Sequence, residues 1–337
     1  MCRNLLILFL LAAQQSQAQT TWQLMWSDEF SGETLNTNNW SYAFGNGGWG
    51  NNEWQYYSNA AENIEVSNGA LKITARHEGT GPTEYTSARI ITKDRFEFQY
   101  GKVEARMKLP LGQGLWPAFW TLGANIDEVS WPRCGEIDIM EHVNNEYMTH
   151  GAVHWYNNGH SFTGQGTSVD PTEYHVYGVI WDSNQIRWFV DGIQFYQFNI
   201  QASNQSDDAF MHPMYLLLNL AIGGNWPGYP DASTPFPSSM LVDYVRVYQP
   251  LLANGVEGVG QMPLSIFPNP VADDFRIEFP FHELEQCRIL DMAGKELLRV
   301  DKVKSSATVD VSFLAPGCYI VECIMNGTRS RHTILKQ

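Results

Sequence analysis

The stretch Trp131-Pro132-Arg133-Cys134-Gly135-Glu136-Ile137-Asp138-Ile139-Met140-Glu141-His142 sets three carboxylates within six residues of an otherwise apolar run. On a regular strand, side chains two apart share a face, so Glu136 and Asp138 point one way while Ile137 and Ile139 point to a core. Glu141 then has the wrong parity. One extra residue, a β-bulge near Ile139-Met140, restores it and aligns all three acids, and bulges are common beside active sites. With that bulge, Glu136 and Glu141 lie four strand steps apart, on the order of 13 Å between Cα atoms at about 3.3 Å per step. Two glutamates leaning together over the shorter Asp138 can bring their carboxyl groups to the roughly 5–5.5 Å of a retaining glycosidase, whereas inversion needs about 6.5–9.5 Å to admit a water. Retention is the expectation.

Such a pair must hold two protonation states, one carboxylate ionised to attack an anomeric carbon and one acid protonated for the leaving oxygen. Crowding helps, because mutual repulsion raises at least one pKa, and a protonated Asp138 can donate a hydrogen bond that keeps Glu136 ionised and turned. The plain alternative is a solubilised edge strand. It fits poorly here, since the acids are embedded among aromatics and three like charges on one face destabilise a sheet that does not use them. A sugar ring asks for flat aromatic faces and fixed polar partners, and Trp116, Trp120 and Trp131 lie close to the acids in sequence.

The elements that must position these residues read as strands. In Lys102–Leu109 the residues Val103, Ala105, Met107 and Leu109 alternate with Lys102, Glu104, Arg106 and Lys108, the period of a half-buried strand. Ile186–Val190 and Ile193–Phe198 flank Asp191-Gly192, a hairpin turn by composition, and Leu241–Tyr248 is another β-branched, aromatic run. Helical periodicity is absent from segments of comparable length, so many short strands over roughly 230 residues predict an antiparallel sandwich or barrel. All twelve tryptophans lie between Trp22 and Trp226. That shift, with the Pro- and Gly-bearing, aperiodic segment after Tyr248, divides the chain into a domain at 19–249, a linker at 250–262 and a second all-β domain at 263–337. In the second, Val309–Phe313, Tyr319–Met325 and Arg331–Lys336 read as strands, with an Asn326-Gly327 turn.

The chain of 337 residues is 17% charged and 44% hydrophobic, the composition of a globular protein. Its net charge of −15 is concentrated before residue 263, which disfavours nucleic acid and heavily sulfated polysaccharides as main partners. Arg3, the apolar run Leu5–Ala13 and Ser16-Gln17-Ala18 form a secretory signal peptide pattern, residues 1–18, that would carry Cys2 away and leave no lipid anchor. No internal stretch is long and apolar enough for a membrane span. Cys134 reads as a buried thiol, and a bridge among Cys287, Cys318 and Cys323 is open. Zinc spacing, phosphate loops and triad motifs are absent, and no redox cofactor is implied.

Glu136-Ile137-Asp138-Ile139-Met140-Glu141 resembles the signature of glycoside hydrolase family 16 in its bulged E-x-D-x-x-E form. Trp26-Ser27-Asp28-Glu29-Phe30, Gly48-Trp49-Gly50-Asn51-Asn52-Glu53, Tyr85–Ile90, Gly114–Trp120 and Asn219–Gly228 agree with the laminarinase branch. The resemblance covers nearly the whole first domain. It implies a β-jelly-roll sandwich of concanavalin A type with a concave cleft, and endo-acting hydrolysis of β-1,3-glucan. By analogy Glu136 is the nucleophile, Asp138 its helper and Glu141 the acid/base. It further implies glucosyl contacts from Trp116, Trp131 and Trp226, cleft positions for Asn52, Glu53 and Arg89, and a histidine near the acids at His154. Trp120 joins this set as a neighbour of the acids. No cofactor is needed for catalysis; one structural calcium on the convex side would be held by Glu29, Gly69 and Asp243, whose oxygen ligands suit Ca²⁺.

In the second domain, Pro268-Asn269-Pro270, Asp291–Lys295, Leu314–Tyr319 and the terminal Lys336 resemble the C-terminal sorting domain of the type IX secretion system. That implies a small Ig-like sandwich and export across the outer membrane of a Bacteroidetes-type bacterium, to the medium or cell surface. A carbohydrate-binding module is the competing reading, and the lack of any Trp there counts against it. The expected partners are β-glucan and the secretion machinery, with the chain acting as a monomer. Two rivals to the activity stand: a same-fold hydrolase of mixed-linkage glucan, agarose or carrageenan, and a non-catalytic glucan-binding protein, whose usual loss of catalytic glutamates this chain does not share.

Overall fold

In the computed structural model the described residues are 21–78, 84–200, 209–251, 264–279, 283–291, 294–325 and 328–337. The signal-peptide pattern, most of the linker and the Asn326-Gly327 turn lie outside them. Between Thr21 and Leu251 the strands form two antiparallel-dominated sheets, one of ten strands and one of seven. Across the seven-stranded sheet the order is His160–Ser168, Met148–Tyr156, Glu136–Glu141, Leu115–Gly123, Met214–Ile222, Arg89–Ile91 and Ser41–Tyr42.

Alternation builds the core between the sheets. Val103, Ala105 and Met107, from the strand Gly101–Lys108, are fully buried and meet Phe119, Ile137, Ile139, Leu216, Leu218 and Leu220 of the other sheet in one cluster. Each of the larger side chains among them contributes about 1.5–3 kcal/mol by leaving water. Lys102, Glu104, Arg106 and Lys108 take the opposite face, as their parity predicts, where Lys102 and Tyr248 both engage Glu104. The Asp191-Gly192 turn has positive φ at both residues (49° and 79°), the backbone of a tight hairpin, and joins Gln185–Val190 to Ile193–Asn199. Helix is sparse among the described residues, with a single short turn at Ile126–Val129 and a 3-10 turn at Gly48–Gly50 as the elements near the site. No described helix is long and apolar enough to cross a membrane.

The carboxylate strand is braced from beneath. Trp188, fully buried in the ten-stranded sheet, reaches across the core and donates its indole N–H to the main-chain oxygen of Asp138 at 2.7 Å. The indole lies against Gly151 of the neighbouring strand, where an added Cβ would fall 2.3 Å from Trp188 Cδ1. That ring therefore needs a glycine there.

The second region has its own core, around Phe275, Ile277, Leu284, Ile289, Val309 and Val321. A three-stranded sheet holds Ser265–Phe267, Asp274–Glu278 and Ala307–Asp310, and a four-stranded sheet is ordered Glu296–Lys304, Glu283–Leu290, Gly317–Met325 and Thr328–Lys336. The strand expected at Val309–Phe313 is displaced to Ala307–Asp310, because Ser312 N–H bonds the Asp310 side chain and turns the chain there. The bridge left open among the later cysteines does not form. Cys134 is a buried thiol as expected, Cys287 and Cys323 face each other in register across paired strands as free thiols, and Cys318 is exposed and free.

Candidate active site

Strand register assembles the site. On the side of Leu115–Gly123, Asp138 pairs with Trp120 and Glu141 with Ala118, while Met140 pairs with Phe119 and Ile139 is the extra residue. On the other side Asp138 pairs with Ala152 and Glu141 with His150, with a matching break in register. The bulge thus falls where parity required it. Ile137, Ile139 and Met140 are buried in the core, and Glu136, Asp138 and Glu141 share the opposite face. Gly135, at φ 77°, leads into the strand with no room for a side chain: an added Cβ would lie 2.4 Å from Ala209 O.

The acids sit in a cleft of about 810 Å³ whose lining includes Trp49, Arg89, Trp116, Trp120, Trp131, Glu136, Glu141, His154, His160, Phe162 and Trp226. Each glutamate is held by a different indole. Trp131 donates to Glu136 Oε2 at 2.9 Å, and Trp116 donates to Glu141 Oε1 at 2.9 Å. His154, opposite Glu136 in register, brings Nε2 to 3.1 Å from Asp138 Oδ2 and 3.8 Å from Glu136 Oε1. Beside the acids the next two strands present the small residues Ala152, Gly164 and Gly166, leaving a trough for a ring.

Burial raises all three carboxyl pKa values to about 8, with the neighbouring acids adding to the effect at Glu136 and Glu141 and His154 opposing it there. The cluster therefore holds protons at neutral pH and releases them one at a time. At each glutamate an indole donor and His154 favour the anion while the charge of Asp138 opposes it. A nucleophile and a proton donor can coexist on this strand.

The residues expected at the site divide into groups. Trp116 and Trp131 line the cleft and also orient the acids, and Trp226, half-exposed, packs edge-on against Trp116 and His150. Trp120 lines the cleft with its indole N–H on Asn219 Oδ1 at 2.7 Å. Arg89 lies between the Trp49 and Trp120 rings, 4.8 Å from each centroid. Asn52 and Glu53 are not among the lining residues. Asn52 donates to Asn225 Oδ1 at 2.8 Å, and Glu53 turns inward to accept from Gln55 at 2.6 Å and from the buried Tyr57.

On the convex side, Glu29 is held by Arg246 through two bonds of 2.8 and 2.6 Å, and Asp243 by Arg106 at 2.7 Å, while Gly69 occupies a turn at φ 75°. Arg246 accordingly lowers the Glu29 pKa. Both side-chain carboxylates are thus engaged by arginines, so a calcium ion would have to displace those pairs or bind through main-chain oxygens such as that of Gly69.

Sequence reasoning missed Trp49, His150, His160 and Phe162. His160 packs at a tilt of 46° against Trp131, 4.6 Å between centroids, and its Nε2 is 2.8 Å from His154 Nδ1, while Phe162 lies flat against His154 at 5.6 Å. The period of two in His160-Ser161-Phe162-Thr163 carried the signal, since alternate residues of a strand beside the acids share their face.

Comparison with known proteins gives a consistent picture. Residues 51–246 match the family model described as glycosyl hydrolases family 16, and residues 265–337 match the secretion system C-terminal sorting domain. A beta-glucanase of Rhodothermus marinus is 40% identical over 259 residues, covering 71% of this chain and 90% of that one. The clotting factor G alpha subunit of Tachypleus tridentatus is 43% identical over 233 residues, covering 68% of this chain; the chain spans about a third (34%) of that relative's length. The structure of the catalytic domain of an endo-1,3-beta-glucanase (laminarinase) from Thermotoga petrophila superposes with a TM-score of 0.64 at 40% identity, covering 69% of this chain and 99% of that one.

Proposed function

Because the chain belongs to glycosyl hydrolases family 16, we propose that it is an endo-acting glycoside hydrolase that cleaves internal β-1,3 bonds of glucan with retention, exported by means of its C-terminal domain. One observation carries the mechanism: Glu136 and Glu141 lie on one face of a single bulged strand, and each is oriented by its own indole N–H. The Thermotoga structure and the Rhodothermus relative, an endo-1,3-beta-glucanase and a beta-glucanase by name, support the substrate class.

In this reading a glucosyl unit settles in the trough beside Ala152 and Gly164. Glu136 attacks its anomeric carbon as the carboxylate, and Glu141 gives its proton to the departing glycosidic oxygen. Glu141, now ionised, takes a proton from water, which attacks the glycosyl–Glu136 ester and frees the sugar. A protonated Asp138 donates a hydrogen bond to Glu136, and the His154 ring lies beside both acids. The aromatic walls from Trp226 and Trp116 to Trp131 and Phe162 pack on the C–H faces of successive rings. The sorting domain at 265–337 marks the chain for type IX export to the cell surface or beyond. The chain acts as a monomer in this account.

A panel of pure polysaccharides with sizing of products tests the proposal. Laminarin should be cut to a ladder of oligosaccharides, with mixed-linkage glucan a second substrate and agarose and carrageenan untouched. Glu136→Ser should abolish cleavage and keep glucan binding; full turnover by that variant, or cleavage of a galactan instead of laminarin, overturns it.

A further inference from the structure

Three polar atoms from two paired strands converge on one point of the cleft. His154 Nε2 is 3.1 Å from Asp138 Oδ2 and 3.8 Å from Glu136 Oε1, and a ligand atom from each of the three residues lies within 4.8 Å of the others. Asp138 is only 3% exposed, and its Oδ2 has no hydrogen-bond partner. An acidic oxygen buried without a donor and aimed at an imidazole nitrogen is unusual unless a proton or a cation completes it. We propose that Glu136, Asp138 and His154 form a binding site for a late first-row divalent cation such as Zn²⁺, which enters through the cleft and competes with glucan.

The spacing suits such an ion. Tetrahedral zinc with bonds of about 2.0–2.1 Å holds its ligands roughly 3.3–3.4 Å apart. The His154–Asp138 separation of 3.1 Å already lies near that value, and rotation of Glu136 must close its distances to His154 (3.8 Å) and to Asp138 (within 4.8 Å). Two of the three ligands are also held from behind. His160 Nε2, 2.8 Å from His154 Nδ1, can accept a hydrogen bond from the Nδ1–H of His154, the tautomer that leaves the His154 Nε2 lone pair facing the acids. Trp131 fixes the second oxygen of Glu136 at 2.9 Å. Three protein ligands with the remaining position open to a cleft is the arrangement of accessible zinc sites. An imidazole with two carboxylates favours Zn²⁺ or Cu²⁺ over Ca²⁺ or Mg²⁺, which take oxygen ligands in larger number. The net charge of −15 raises the local concentration of any cation. Local sequence pattern does not show the trio, since His154 is distant from the acids along the chain and only the resemblance set it near them; strand pairing places it opposite Glu136.

A cation bound there occupies the carboxylate that would attack the sugar, so inhibition is competitive. That consequence rests on Glu136 being the nucleophile proposed above, whereas metal binding itself does not. Calorimetry on the full chain in chelator-treated buffer, with zinc chloride as probe, separates the two. One zinc should bind per chain. His154→Ala and Glu136→Gln should each weaken it by more than about tenfold, and His160→Phe, which removes the acceptor behind His154, by about 10–100-fold. Glu141→Gln keeps all three ligands and should bind zinc as the parent does, with a β-1,3-glucan oligosaccharide raising the apparent Kd. Absence of saturable binding, or affinity unchanged in both folded ligand variants, overturns the site. Zinc binding that an oligosaccharide known to bind leaves unchanged overturns the competition.

Discussion

Replacing Trp131 by Phe removes one donor from the acid cluster and keeps an aromatic ring at the cleft wall. The indole N–H lies 2.9 Å from Glu136 Oε2, and it stabilises the charged form of that group. A hydrogen bond to a charged group contributes about 1.5–3 kcal/mol. Trp131 is 45% exposed, so solvent screening places this one at the low end. At about 1.4 kcal/mol per pKa unit, the Glu136 pKa should rise by roughly one unit. Catalysis needs the Glu136 carboxylate, so the acid limb of kcat/KM should move up by roughly one pH unit. Activity below that limb should fall about tenfold and recover near the optimum. Initial rates on laminarin across the pH range measure this, and Trp116→Phe supplies the contrast, because its partner is Glu141 and its effect belongs on the alkaline limb. An unmoved acid limb in Trp131→Phe, with only KM changed, would refute the idea that the indole tunes Glu136 and leave Trp131 as a sugar platform alone.

Three further outcomes are expected. Glu141→Ala should cost about 10²–10⁴-fold in kcat on laminarin and far less on an aryl glycoside whose leaving group needs no proton; equal losses on both would contradict its role as the acid. The three buried acids hold protons in the folded chain that the unfolded chain releases, so their stabilising contribution is full below about pH 4 and is lost as pH rises towards about 8. Asp138→Asn should therefore raise Tm by a few degrees at alkaline pH, on the order of 1–2 kcal/mol, with the difference gone near pH 4; a Tm gain that is constant with pH would contradict it. Excess calcium or EDTA should shift Tm by less than about 1 °C, since Arg246 and Arg106 already hold Glu29 and Asp243; a calcium-dependent rise of several degrees would show that the ion displaces them.

Parity made the central feature of the site legible in the sequence. Ile137 and Ile139 need the core, Glu136 and Asp138 then share the cleft face, and Glu141 joins them only through the bulge found opposite Phe119 and His150. Alternation of Val103, Ala105 and Met107 likewise placed a core strand, and Asp191-Gly192 a hairpin. What local pattern does not carry is register between distant strands. It brings His154 against Asp138 and His160 against His154, turns Glu53 inward to Tyr57 while Arg89 stays in the cleft, and gives Arg106 and Arg246 to the carboxylates expected to face calcium. A tryptophan's role has the same origin: Trp116 and Trp131 read as sugar platforms until their N–H groups are seen to hold the acids.

The stereochemistry of the first product tests the account most directly, because two acids on one strand, one attacking and one donating, can only retain configuration. Proton NMR of laminarin hydrolysis should show the β-anomer of each new reducing end first, with the α-anomer growing in later by mutarotation. Initial release of the α-anomer would mean that water attacks the sugar directly, and Glu136 would not be the nucleophile.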